Sequence, residues 1–207
     1  MVSKSVYSVV LMDEVVDEID KLAYKQGTNR SNMINRILAE YVSCMTPEKR
    51  VKQFFEEMND MFSALEPFML LSQTNDPRLI VRSQLKYRYR PTVNYSVELY
   101  GQPDEEKNVG ELKISVRTQN DELLKTLGSF FCLWAKLEMV SADKFPIAMA
   151  QDSAHYVKKL PQVSGKAIVS YINSLDTAMK SYFTEDEEHR SKAVIEEYNK
   201  LKKVKLK

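Results

Sequence analysis

The chain is poor in the residues that break or staple a backbone. Five glycines and seven prolines in 207 residues are too few for a fibrous or low-complexity protein. Two cysteines, Cys44 and Cys132, lie far apart with no pairing pattern, which argues against a disulfide scaffold and fits a reducing compartment. The two histidines, His155 and His189, have no His or Cys at ligand spacing, so neither a soft-metal site nor any other cofactor is expected. An excess of one charge is missing as well. Thirty Lys and Arg against 29 Asp and Glu leave a net charge of +1, which is neutral on nucleic-acid binding because such a patch needs only local charge. The longest apolar run, Leu127 to Val140, is broken by Ser129, Lys136 and Glu138 and is too short and too charged to cross a bilayer. Residues 1–7 lack the apolar core of a signal peptide, so a cytoplasmic protein is expected. A Gly-x-Ser-x-Gly elbow and a phosphate-cradling glycine loop are both absent, and no enzymatic activity is expected.

What is present is the composition of a globular protein, 43% hydrophobic and 29% charged, long enough for one large domain or two small ones. Near the start, Tyr7, Val9 and Leu11 alternate with Val6, Ser8 and Val10, the period of a short strand. At Asp13 the period changes. Val15, Val16, Ile19, Leu22 and Ala23 follow helical spacing, with Asp13 and Glu14 at the positive end. Gly27 ends that helix, and Asn29 caps a second one with the stripe Met33, Ile34, Ile37, Leu38, Tyr41 and Val42. A lone strand with unpaired edges asks for a copy of itself, so a symmetric dimer is expected.

Thr46-Pro47-Glu48 reads as a new helix start, and the domain boundary is placed there, giving domains 1–45 and 46–207. The following helix carries Val51, Phe55, Met58, Phe62, Leu65 and Met69 at heptad spacing, a stripe that either packs on its own domain or extends the dimer. Three strands follow in the pattern, built on Leu85-Tyr87-Tyr89, Val93-Tyr95-Val97-Leu99 and Leu112-Ile114-Val116, as an antiparallel meander with one buried face. From Asn120 on, the rest reads as helices. One over about 121–139 is apolar almost all round, with Cys132 as a buried thiol; one begins near Ser164; and one begins at Thr184, with Glu187 completing a capping box. The expected class is therefore α+β: an N-terminal strand–helix–helix unit, then an α+β domain with a three-stranded antiparallel meander and several helices.

The run from Val9 to Ala23, then Gly27, then Asn29-Arg30-Ser31-Asn32-Met33-Ile34, resembles the Arc/MetJ/CopG ribbon–helix–helix family of DNA-binding proteins. The likeness covers about residues 5–42. It implies a homodimer, or a dimer of dimers, whose paired strands enter the major groove of double-stranded DNA. It implies that Tyr7, Val9 and Leu11 face the dimer core and that Lys4, Val6, Ser8 and Val10 face the DNA. It also implies that Asn29, Arg30 and Ser31, at the start of the second helix, hold a phosphate, a role that open helix-end amides support on their own. Two of the outer strand positions are valine where the family usually carries polar side chains, which limits direct readout to Ser8 and Lys4. The function so implied is transcriptional regulation, as a repressor of bacterial type associated with the nucleoid. The alternative is a scaffold or partner-binding protein, such as an antitoxin or a DNA-segregation factor, with a DNA-binding head. Lys86, Arg88, Arg90, Lys113 and Arg117 on the meander form either a solvated face, an anionic-effector site or a second nucleic-acid contact. The acidic run 185–188 reads as first-turn carboxylates of the last helix.

Overall fold

In a computed structural model the described residues are 5–42, 47–71, 78–140 and 154–205. The chain divides into two units, residues 1–52 (the head) and 53–207 (the body).

The head holds α1 (Asp13–Lys25) and α2 (Arg30–Tyr41). Their shared core is small: Ile19, Ala23 and Met33 are buried, with Ile34 and Ile37 packed partly against them. The first expectation fails here. Residues 5–12 form no strand, and the described chain opens on helices. The backbone at Met12 is extended, with φ −70° and ψ 142°, so the alternation is compatible with a strand. A strand, however, is a pairing of two backbones, and among the described residues nothing in this chain pairs with residues 5–12. The N-terminal ribbon–helix–helix architecture is therefore corrected to an irregular segment followed by two helices.

The body is an antiparallel sheet of five strands in the order β1-β2-β3-β4-β5, not a meander of three. β1 is Met69–Leu71, β2 Arg78–Gln84, β3 Thr92–Leu99, β4 Gly110–Val116 and β5 His155–Leu160. Its helices are α3 (Pro47–Ser63), whose residues from 53 onward belong to the body, α4 (Asp121–Val140), α5 (Gly165–Thr184) and α6 (Glu187–Lys205). The alternation that marks β3 and β4 in the sequence is also their burial pattern. Val93, Tyr95, Val97, Leu112, Ile114 and Val116 are buried, while Asn94, Ser96 and Ser115 are half-exposed. Cross-strand rows such as Val81–Tyr95–Ile114–Tyr156 carry the core from one strand to the next.

The remaining differences have local causes. The strand expected over 85–90 lies at 78–84 instead, and Lys86 to Arg90 form the connection to β3. Tyr89 and Arg90 there have φ of 62° and 43°, left-handed values that end a strand. The heptad stripe does not run to Met69. The helix ends at Ser63, Pro67 cannot donate to a helical ladder, and Met69 lies in β1. Met58 and Phe62 are fully buried in the body's own core. β5 was hidden in the sequence because Lys158 and Lys159 obscure its alternation. α6 starts at Glu187 rather than Thr184, which closes α5; Asp186 Oδ1 accepts from the His189 amide at 3.1 Å and takes the capping role. Cys132 is exposed, not buried, because α4 buries only the face of Leu123, Leu127, Phe130, Phe131, Trp134, Ala135 and Glu138.

Where β5 meets the helices, charge enters the core. Lys158 occupies a core-facing position in the row of Leu79, Val97 and Leu112 and is 3% exposed. It is ion-paired with Glu138 of α4. Tyr156 and Tyr171 donate to the same carboxylate at 2.8 and 2.7 Å, and Trp134 Nε1 donates to the Tyr171 hydroxyl at 2.9 Å. The lysine ammonium also lies 4.5 Å from the centre of the Tyr171 ring. Each carboxylate oxygen is thus supplied with donors, which is what allows a buried pair to persist.

Candidate nucleic-acid interface

The turn between α1 and α2 is built atom by atom from the sequence. Gly27 has φ +63°, a conformation that glycine adopts without a Cβ penalty. Its amide donates to Tyr24 O at 3.2 Å, and the Thr28 amide donates to Ala23 O at 2.9 Å. These two bonds close the α1 C-terminus as a Schellman motif. Asn29 is extended and its Oδ1 accepts from the Asn32 amide at 2.9 Å, capping α2. The amides of Arg30 and Ser31 stand at the first helical positions, where an α-helix has no internal acceptor for them.

Asn29, Arg30 and Ser31 are thus brought together at one helix end, but the Arg30 side chain is engaged. Its Nε donates to Asp20 Oδ1 at 2.7 Å and its Nη2 to Asp20 Oδ2, a two-pronged pair between α2 and α1. Hydrogen bonding to the guanidinium holds the Asp20 carboxyl below its ordinary range, and the same bond raises Arg30. The side chain expected to meet a phosphate therefore staples the two helices and must trade one anion for another to do so. Nothing in the sequence spacing announced this, since Asp20 and Arg30 are ten residues apart across a turn.

Val6, Ser8 and Val10 are exposed, Val6 and Val10 almost completely at 99%. Tyr7 and Val9 on the other side of the alternation are exposed as well, at 82% and 72%. Lys4 lies outside the described residues, as do Cys44 and Thr46. Charge in residues 1–45 is slightly acidic: Lys4, Lys21, Lys25, Arg30 and Arg36 face Asp13, Asp17, Asp20, Glu14, Glu18 and Glu40. All the acids but Glu40 belong to α1, so negative charge gathers on α1, whereas the start of α2 carries only the partial positive charge of a helix end.

In the body, the basic residues grouped in the sequence fall in two places. Lys113 and Arg117 are exposed at and just beyond β4, and Lys86, Arg88 and Arg90 line a cleft beside α5. Sequence reasoning missed the α5 side of that cleft, although Asn173, Thr177 and Ser181 recur at spacings of four along the helix. Among the described residues no helix is long and apolar enough to cross a membrane. Compared with protein-family models, with curated proteins and with solved structures, the chain matches none of them.

Proposed function

We propose that the protein is a DNA-binding regulator that works as a homodimer, with the head on the duplex and the body as an assembly or sensing domain. The observation that carries this reading is the surface of the head. Among its described residues three apolar side chains are buried, Ile19, Ala23 and Met33, whereas twelve large ones are exposed, from Val6 at 99% to Leu11 and Val15 at 38%. Units of about 40 residues seldom hold a fold by an apolar core alone and usually need a disulfide, a metal or a partner. The head's single cysteine and lack of histidine leave a second copy as the natural cover for that surface. The DNA contact is supported by the resemblance of about residues 5–42 to a DNA-binding family, of which the two helices and the turn between them are formed here, and by the capped α2 end with its two open amides.

A second reading is a scaffold whose apolar segment 6–12 takes up a different protein. The slight excess of acids in residues 1–45 favours it. One experiment separates the two. Fluorescence anisotropy with labelled duplex DNA is read for the wild type, Arg30→Ala and Asp20→Asn across a salt series. On the DNA reading, Arg30→Ala weakens binding to all duplexes alike and lowers the salt slope by about one. Asp20→Asn frees Arg30 and removes a repelling charge, so it tightens binding. A chain that binds no duplex, or binds it identically in all three forms, supports the scaffold instead.

A further inference from the structure

The cleft beside α5 has a volume of about 940 Å³ and lies wholly within the body, at the upper end of the range for small-molecule sites. One wall is the β2–β3 connection, which contributes Lys86, Arg88 and Arg90. Among the described residues, these three side chains have no ion-pair partner. The opposite wall is the face of α5 bearing Asn173, Thr177 and Ser181, a strip of amide and hydroxyl groups.

Asp176, also of α5, lines the cleft yet is 2% exposed. Its carboxylate is fully committed: it accepts from Ser83 Oγ, from the Tyr95 hydroxyl at 2.8 Å and from Lys180 Nζ at 2.6 Å. Lys180 and Asp176 therefore cancel, and Glu66 is the one acid left on the lining against three cations. The connection that carries the cations is itself held in an uncommon shape, with the consecutive left-handed residues Tyr89 and Arg90. Tyr87 anchors it by packing edge-on against Phe183 of α5, with ring centres 5.7 Å apart. Side chains held against backbone preference recur at ligand clamps.

We propose that this cleft binds a phosphorylated small molecule of nucleotide size. Two guanidiniums and an ammonium supply the donors that a phosphate dianion takes, Arg offering the planar pair that suits it. The hydroxyl and amide strip of α5 meets the polar body of the ligand. A concave site favours a small anion over a duplex, whose phosphates lie on a convex surface. The inference stands apart from the reading of the head, because its test uses no DNA binding by residues 1–52.

The test is isothermal titration calorimetry of the full chain with AMP and with inorganic pyrophosphate. Adenosine at the same ionic strength serves as the uncharged control. AMP and pyrophosphate should bind and adenosine should not. Lys86→Glu with Arg88→Glu, two exposed positions of ordinary backbone, should weaken binding by roughly tenfold or more per reversed charge while leaving the melting temperature of the unliganded protein unchanged. Asn173→Leu should weaken AMP more than pyrophosphate. Absence of heat from both phosphates overturns the proposal, as does equal binding by the charge-reversed variant. Binding of a DNA duplex that is lost in that variant, with no response to AMP, overturns it as well and assigns the patch to nucleic acid.

Discussion

Head and body obey the same rules of burial with opposite outcomes. Among the described residues the body buries 29 apolar side chains in one core, from Met58 to Leu201, and leaves five large ones exposed. The head buries three and exposes twelve. The body can afford an ion pair inside its core and still close around it; the head relies on a Schellman turn, an Asn29 cap and the Arg30–Asp20 pair to hold two helices together. The difference teaches that the body satisfies its apolar side chains within one chain, whereas the head leaves most of its own in solvent.

The comparison is broken most severely from the body's side. Glu138→Ala leaves Lys158 charged and buried without its carboxylate and strips two tyrosine hydroxyls of their acceptor. It should cost about 3–5 kcal/mol in urea unfolding. Glu138→Leu combined with Lys158→Met should recover most of that loss, because neither partner is then stranded. Next in size is Gly110→Ala in β4. A Cβ there would stand 2.2 Å from Glu98 O of the neighbouring strand, so the β3–β4 ladder must part. A loss of about 2–4 kcal/mol is expected, read as a lower urea midpoint with an unchanged slope. Smallest is Asn29→Ala, which removes the α2 cap. It should cost about 1 kcal/mol, confined to the head, and show as faster amide exchange at Asn32 with the body's protection unaltered.

How legible these two regions were follows from the same contrast. In the body, alternation announces β3 and β4, and the buried faces of α4 and α5 follow their apolar spacing, because burial within one chain imprints a period. β5 escaped because Lys158 sits at a core position that only Glu138, twenty residues away, makes tolerable. β2 escaped because the tyrosines of the 85–90 connection imitate a strand. In the head the helices and the Gly27–Asn29 punctuation were legible, being local. The strand at 5–12 was not obtained, since its period is present but no strand among the described residues pairs with it. The candidate phosphate site was legible as a cap and not as a charge: the sequence placed Asn29, Arg30 and Ser31 at a helix start, and only the fold brought Asp20 to Arg30. The cleft beside α5 needed both the strand connection around residues 86–90 and the helix from Asn173 onward, far apart in sequence, and no motif spans that distance.

The claim at the centre of this account is that a second copy covers the apolar surface of the head, and the association state of the full chain tests it most directly. Sedimentation equilibrium at micromolar concentration should return a dimer or a multiple of it for the wild type. Leu11→Asp, which sets a charge on the apolar segment, should lower the association constant by about a hundredfold or more while the near-ultraviolet signature of the body around Trp134 stays the same. A wild-type chain that sediments as a monomer with a folded head, or a Leu11→Asp variant that associates as tightly as the wild type, would contradict it.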